Sequence, residues 1–352
     1  MKKYSLISAL GFSFFVFWAA AKSPTYSLEK VYQTEDIVWG MDFISENEIV
    51  FTERSGALKI LDLTKKAATT VSGAPQVLTR GQGGLLDVRL DPDFKTNARI
   101  YLTYAVPEKK GYTTALGEGI LKSGKLENFV ERFRALPETS ETIHFGSRLD
   151  FGDSQELYMT IGDRNERDFA QDPQKHQGKV LRFDRSKLSQ APEVFSLGHR
   201  NHQGIAFDPV KKELWVSEHG PRGGDELNLV QRGKNYGWPV VTHGREYWGP
   251  SIGQGKTLPG YEDGKVVWVP SIAPSGLRLY HSEKFPELKN HFIVPALVKQ
   301  HVRFVKNDSS FAQSEHFQQM GERFRSVQVS PAGEIYLGTD SGKIFRLKRV
   351  SN

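Results

Sequence analysis

Between Leu197 and Pro239 the chain reads LGHRNHQGIAFDPVKKELWVSEHGPRGGDELNLVQRGKNYGWP, a density of polar residues that core packing does not need. Arg200 and Asn201 set a guanidinium fork beside an amide, a pairing suited to two-point binding of a carboxylate or quinone oxygen. Gly220-Pro221 follows the strand-like LWVSEH, and a glycine there lets main-chain carbonyls approach a ligand or a hard cation such as Ca2+ closely. Asp225 and Glu226 could hold a cation together with a carbonyl of the NYGW turn near Tyr236. The competing readings are an arginine bound to a loop carbonyl and a solvated acidic turn.

Five further segments carry reactive side chains. His144, in TIHFGSRLDFG, is a candidate general base, because neutral imidazole accepts a hydroxyl proton near neutral pH. Arg323 and Arg325 in GERFRSV alternate on one face of a strand, a spacing that grips a polyanion or forms structural ion pairs. Gln82 in TRGQGGLLDV, Tyr247 in REYWG and Lys299 in PALVKQ are weaker signals in isolation. SEHGP lacks the second histidine of an H-E-x-x-H zinc helix, and the chain has no G-x-S-x-G elbow, Walker loop or dinucleotide fingerprint.

The elements that must position these residues recur along the chain. Each unit is an alternating apolar strand, a turn rich in Asp, Pro, Gly or Asn, and a second apolar strand ending in polar residues. Copies begin at Met41, Val88, Ser147, Ile205, Leu277 and Val327. Ile49, Tyr101, Tyr158, Trp215, Phe292 and Tyr336 are the equivalent positions, spaced by 52, 57, 57, 77 and 44 residues. Alternation with turn signals marks hairpins, and a repeat of roughly 40–50 residues marks a propeller blade. Six units predict an all-β, six-bladed β-propeller, with an insertion near Gly244–Gly264 in the longest interval. Polar residues at the inner strand ends would then converge on one face of a central channel.

Composition agrees with a folded all-β chain of 352 residues, with 33 glycines, 17 prolines, 22 Phe, 12 Tyr and 6 Trp. There is no cysteine, which excludes disulfides, thiolate metal sites, iron–sulfur clusters and cysteine nucleophiles. The net charge of +6 is spread without a long Lys/Arg run, so no nucleic-acid partner is expected. Lys2-Lys3, the apolar run Leu6–Trp18 and Ala19-Ala20-Ala21 read as a secretory signal peptide over 1–21. The expected mature unit is a single propeller domain over 22–352, periplasmic or secreted, without stable membrane insertion after cleavage.

Taken in order, GQGGLL, HFGSRL, GHRNHQG, EHGPRGGDELN, GKNYGWP, PSIAPSG and ERFRSV resemble the soluble aldose sugar dehydrogenases of the glucose/sorbosone dehydrogenase family. These enzymes depend on pyrroloquinoline quinone (PQQ), and the likeness runs over about residues 30–347. The resemblance implies a six-bladed propeller with His144 as base and Arg200 and Asn201 on the quinone. It implies carbonyls of Gly220 and Pro221 on a cofactor-bridging Ca2+, and Glu226 and Tyr236 at a second, structural Ca2+. Gln82, Tyr247, Lys299, Arg323 and Arg325 fall at cofactor-contacting positions. In the reaction so implied, His144 takes the C1 hydroxyl proton of an aldose, hydride passes to the quinone, a lactone leaves, and an external acceptor (a quinone or cytochrome) receives the electrons.

Three departures accompany the resemblance. Lys299 is displaced by one residue within PALVK, Asp87 replaces a small or apolar residue, and the usual Tyr–Trp substrate contacts align near Val266 and Val269, which argues against narrow glucose specificity. Two other classes fit a propeller: an exported binding module for sugar or protein, and a metal-dependent lactonase. The lactonase needs acidic or amide groups converging on an axial metal, whereas Arg, His and Gln are expected on this axis.

Overall fold

A computed structural model of the protein describes residues 25–153 and 155–350; the expected leader over 1–21 lies outside them. Among the described residues, twenty-five strands form six small sheets. The first strand, β1 (Thr25–Gln33), belongs to the last sheet. Blade one is β2 (Val38–Ser45), β3 (Glu48–Glu53), β4 (Leu58–Asp62) and β5 (Ala67–Thr70). Blade two is β6 (Leu85–Leu90), β7 (Arg99–Glu108), β8 (Gly111–Lys122) and β9 (Lys125–Arg134). Blade three is β10 (Leu149–Phe151), β11 (Glu156–Ile161), β12 (Lys179–Asp184) and β13 (Glu193–Leu197).

Blade four has β14 (His202–Asp208), β15 (Glu213–Glu218) and β16 (Asp225–Val230). The chain then returns to blade three, where β17 (Lys234–Asn235) pairs parallel with β13, before β18 (Val266–Trp268) completes blade four. Blade five is β19 (Arg278–Tyr280), β20 (His291–Pro295), β21 (Val302–Lys306) and β22 (Gln313–His316). Blade six is β23 (Phe324–Val329), β24 (Ile335–Thr339), β25 (Lys343–Val350) and β1.

The six repeat positions all fall on the second strand of a blade, four of them in one register and two, Ile49 and Phe292, offset by one residue. Ile49 faces Phe43, Tyr101 faces Arg89, Tyr158 faces Asp150, Trp215 faces Ala206, Phe292 faces Leu279 and Tyr336 faces Gln328. Second strands are apolar on both sides because each blade is sandwiched by its neighbours. Six apolar clusters result, one at each blade–blade interface. The expected insertion occupies residues 236–265, between β17 and β18. Antiparallel pairing of β1 with β25, from Thr25 opposite Val350 to Gln33 opposite Lys343, closes the ring with the two ends of the described chain.

The inner strands lean on one another around the axis. Four of them carry a β-bulge near the end that opens on the site: between Val38 and Gly40, Leu85 and Val88, His202 and Gly204, and Phe324 and Ser326. A bulge leaves one residue outside the ladder and re-aims its side chain. Deeper in the channel Asp42, Arg89, Asp150, Arg278 and Gln328 form a bonded ring. Arg89 meets Asp150 at 2.9 Å, Arg278 donates to Gln328 at 2.9 Å, and Gln328 donates to Asp42 at 2.9 Å.

Candidate active site

A cavity of about 360 Å3 opens at the bulged ends of the inner strands, a size typical of small-ligand sites. Of the residues expected to contact a cofactor, Gln82, Asn201, Arg323 and Arg325 line it; Trp39 and Arg54 add an aromatic wall and a further cation. Tyr247 stands exposed on the 236–265 insertion, outside this lining. Lys299 sits at φ 60° in a turn whose Leu297 and Val298 line the cavity while the lysine does not. That left-handed turn accommodates the extra residue of PALVK.

Both late arginines bind the same carboxylate: Arg323 Nε lies 2.8 Å and Arg325 Nε 2.7 Å from Asp340. The alternation expected of β23 therefore serves an ion pair and a cavity wall together. Asp340, in the TDSG turn after β24, was not singled out from the sequence, and its own charge offsets one of the two guanidinium charges.

His144 is buried at φ 55°, beside the entrance to β10. Gly162 permits this, since a Cβ there would stand 2.1 Å from the His144 carbonyl oxygen. The His144 backbone N–H donates to Gln82 Oε1 at 2.8 Å, tying it to a cavity-lining side chain. Its Nδ1 lies 2.7 Å from Asp163 Oδ1, while Trp238 Nε1 donates to Asp163 Oδ2 at 2.8 Å. Donation from Nδ1 to a carboxylate leaves the lone pair on Nε2. Burial, opposed by Asp163 and assisted by Arg200, holds the imidazole below its ordinary pKa, so it is neutral at pH 7. Burial raises the Asp163 pKa, but the His144 hydrogen bond, the Arg200 charge and the Asn165 N–H outweigh it and leave the acid ionised. Asp163 follows β11 in IGDR, where one acidic residue after a strand resembles any turn.

The Arg200 and Asn201 pair is split between two neighbouring spaces. Asn201 faces the cavity, whereas Arg200 borders a smaller void of about 20 Å3 with Gly220, Glu226 and Tyr236. That void has room for one water or ion. Arg200 donates to the carbonyls of His219 at 3.2 Å and Gly220 at 2.9 Å, so a guanidinium engages one of the carbonyls expected at Ca2+. A Cβ at Gly220 would lie 2.3 Å from both the Gly223 and Gly224 carbonyl oxygens, so the turn is a cradle of oxygen donors. Glu226 adds a carboxylate whose pKa is pushed well above the usual range by its surroundings and the nearby Glu218. With His243 and Asp263 it also forms a group whose ligand atoms lie within 4.8 Å of one another. Oxygen donors of these kinds fit Ca2+.

Asp225 behaves otherwise. Its Oδ1 accepts from Gly220 N and Ser271 Oγ, each at 2.9 Å, and its Oδ2 accepts from Ile272 N at 2.7 Å and Ala273 N at 2.6 Å. The carboxylate expected as a cation ligand is a pin that ties the Gly220 turn to the start of blade five. A second buried group, His199, His202 and Glu218, also brings ligand atoms within 4.8 Å. There His199 is engaged on both ring nitrogens, by Ser196 at 2.8 Å and Glu218 at 2.9 Å, and Glu218 accepts from Arg200 N at 2.8 Å. It braces the Arg200 backbone.

A propeller whose axis ends in a cationic cavity beside an oxygen-rich void defines a class: proteins that hold an anionic group and a hard cation together. Comparison with known proteins narrows the class. The glucose/sorbosone dehydrogenase family profile matches residues 35–346. Aldose sugar dehydrogenase YliI of Escherichia coli K12 is 36% identical over 351 residues, covering 94% of each chain. Quinoprotein glucose dehydrogenase B of Acinetobacter calcoaceticus is 32% identical over 268 residues, covering 64% of this chain and 54% of that one. The crystal structure of the soluble aldose sugar dehydrogenase from Escherichia coli in its apo form superposes with a TM-score of 0.86 at 35% identity, covering 93% of this chain and 100% of that one. The chain belongs to the glucose/sorbosone dehydrogenase family, and it is an enzyme of that dehydrogenase class.

Proposed function

We propose that the protein is an exported, PQQ-dependent aldose sugar dehydrogenase that oxidises the C1 hydroxyl of its substrate to a lactone. The observation that carries this reading is the cavity that places Gln82, Asn201, Arg323 and Arg325 around one space, with the His144–Asp163 pair behind Gln82. Guanidinium and amide donors suit an anionic, oxygen-rich cofactor, and the Gly220 carbonyl cradle suits one Ca2+ and the Glu226 carboxylate a second. When bound, PQQ supplies a two-electron acceptor for the hydride leaving the sugar C1.

The chain's own residues do the rest. His144 Nε2 accepts the C1 hydroxyl proton, and Asp163, fixed by Trp238, holds the ring in the required tautomer and stabilises the imidazolium. Arg323, Arg325 and Asn201 orient the cofactor, and Arg200 contributes positive charge beside it. Gly220 and Pro221 offer carbonyls to one Ca2+; Glu226 and Tyr236 serve a second. Tyr247 and Lys299 reach the cofactor only if the 236–265 insertion and the Leu297–Gln300 turn close over the cavity. The signal peptide over 1–21 directs the chain to the periplasm or outside, where a quinone or cytochrome takes the electrons. Among the described residues no helix is long and apolar enough to cross a membrane.

Apoprotein loaded with PQQ and Ca2+ should reduce an electron-accepting dye with aldoses and release one lactone per two electrons. A panel of aldoses giving neither dye reduction nor lactone overturns the assignment and favours a sugar- or protein-binding module.

A further inference from the structure

One side chain ties the wall of the cavity together from behind without itself lining it. Arg148 enters the channel from the start of blade three, and its guanidinium bonds into the other five blades. Its Nε donates to the Gln203 carbonyl at 2.7 Å, one terminal nitrogen donates to the Trp39 carbonyl at 2.9 Å, and the other donates to the Ser275 and Arg325 carbonyls at 2.5 and 3.0 Å. Asp87 Oδ1 lies 3.4 Å away, and Asp87 Oδ2 accepts from Leu149 N at 2.9 Å. The guanidinium also lies 3.9 Å from the centre of the Trp39 ring.

These partners share a structural cause. Trp39, Gln203 and Arg325 are the bulged residues of β2, β14 and β23, whose carbonyls a bulge removes from the ladder. Buried carbonyls need donors, and Arg148 supplies them. The same three residues line the cavity. Each bulge thus aims a side chain at the ligand space while Arg148 holds the carbonyl behind it.

We infer that Arg148, anchored by Asp87, is a positioning residue that sets the geometry of the cofactor-binding wall by capping the bulge carbonyls of Trp39, Gln203 and Arg325. This rests on the cofactor reading above, but its structural half stands apart from it. Lysine keeps the charge and the stem, yet cannot reach four carbonyls in one plane.

The test compares wild type with Arg148→Lys and Arg148→Met, and with Leu347→Ala, a core truncation on outer strand β25 that lowers stability away from the channel. PQQ affinity of the Ca2+-loaded apoproteins is measured by tryptophan quenching well below each melting temperature. Amide exchange is followed at Trp39–Gly40, Gln203–Gly204 and Arg325–Ser326. We expect both Arg148 variants to lose about tenfold or more in affinity, with faster exchange at those three sites. Leu347→Ala should retain wild-type affinity at a comparable loss of melting temperature.

Wild-type affinity in a folded Arg148 variant overturns the inference, as does unchanged exchange at the bulges. An equal affinity loss in Leu347→Ala overturns it too, by reducing the effect to stability. If wild type itself binds no PQQ, the proposed function fails, and the exchange measurement alone decides the role of Arg148. Should Arg148→Met not fold, Arg148→Lys carries both readouts.

Discussion

His144 has one ring nitrogen committed to Asp163 and one left to accept a proton, and the residue-scale account turns on that asymmetry. His144→Ala should bind PQQ almost as wild type does while turnover falls by at least about 10²-fold, measured as dye reduction by the holo variant. Retained turnover would remove His144 from the role of base. Asp163→Asn tests the partner through pH. The base works only when neutral, so kcat/KM falls on the acid side as His144 protonates. Asp163 favours the protonated form and burial disfavours it. Losing the carboxylate lowers the histidine pKa, so the acid limb should move to lower pH as turnover drops. A limb that stays in place would assign it to another group. Alone His144 is one of ten histidines, and it stood out because it opens the HFGSRL segment that carries the family resemblance. Asp163 and Asp340 did not, since an aspartate after a strand is ordinary turn chemistry until its partner from a distant segment is known.

At the scale of elements, the Gly220 turn is held from both sides, by the Asp225 carboxylate and by the Arg200 guanidinium. Replacing Asp225 with Ala removes four hydrogen bonds to a buried carboxylate and should cost about 3 kcal/mol or more in denaturant unfolding. It should also weaken the Ca2+ dependence of reconstitution, because the carbonyl cradle loses its anchor to Ser271, Ile272 and Ala273. A stability loss below about 0.5 kcal/mol, the range of surface substitutions, would contradict the pin. Sequence reading placed Asp225 and Glu226 together as cation ligands. Adjacent strand residues point to opposite sides, however, so on β16 one faces the backbone of blade five and the other the void beside Arg200. The bulges were equally hidden, because a bulge is a relation between two strands. Arg148 within HFGSRL could not be singled out while its partners lay on five other blades.

For the whole molecule, the repeat was legible because a blade is a local object, hairpins joined by short turns and apolar on both faces; its exact register was not, and Ile49 and Phe292 stand one residue off the other four positions. Ring closure was not, since β1 lies in a segment without a hairpin partner of its own and meets β25 only at the end of the chain. Deleting residues through Gln33 should leave β25 an open edge and expose the apolar side of blade six. The expected result is loss of the single cooperative thermal transition and aggregation on expression. A truncated chain that melts like the full one would show that closure is dispensable.

The closed ring brings residues from distant parts of the chain around one cavity at the bulged ends of the inner strands. The central claim is that cofactor and cation assemble at this cavity to oxidise an aldose. The direct measurement titrates apoprotein with PQQ, with Ca2+ and again after chelation, then adds aldose and dye to the same samples. The account predicts one PQQ per chain, bound tightly only with Ca2+, and dye reduction confined to that sample. Binding indifferent to Ca2+, or a loaded protein that leaves every aldose unoxidised, would contradict it.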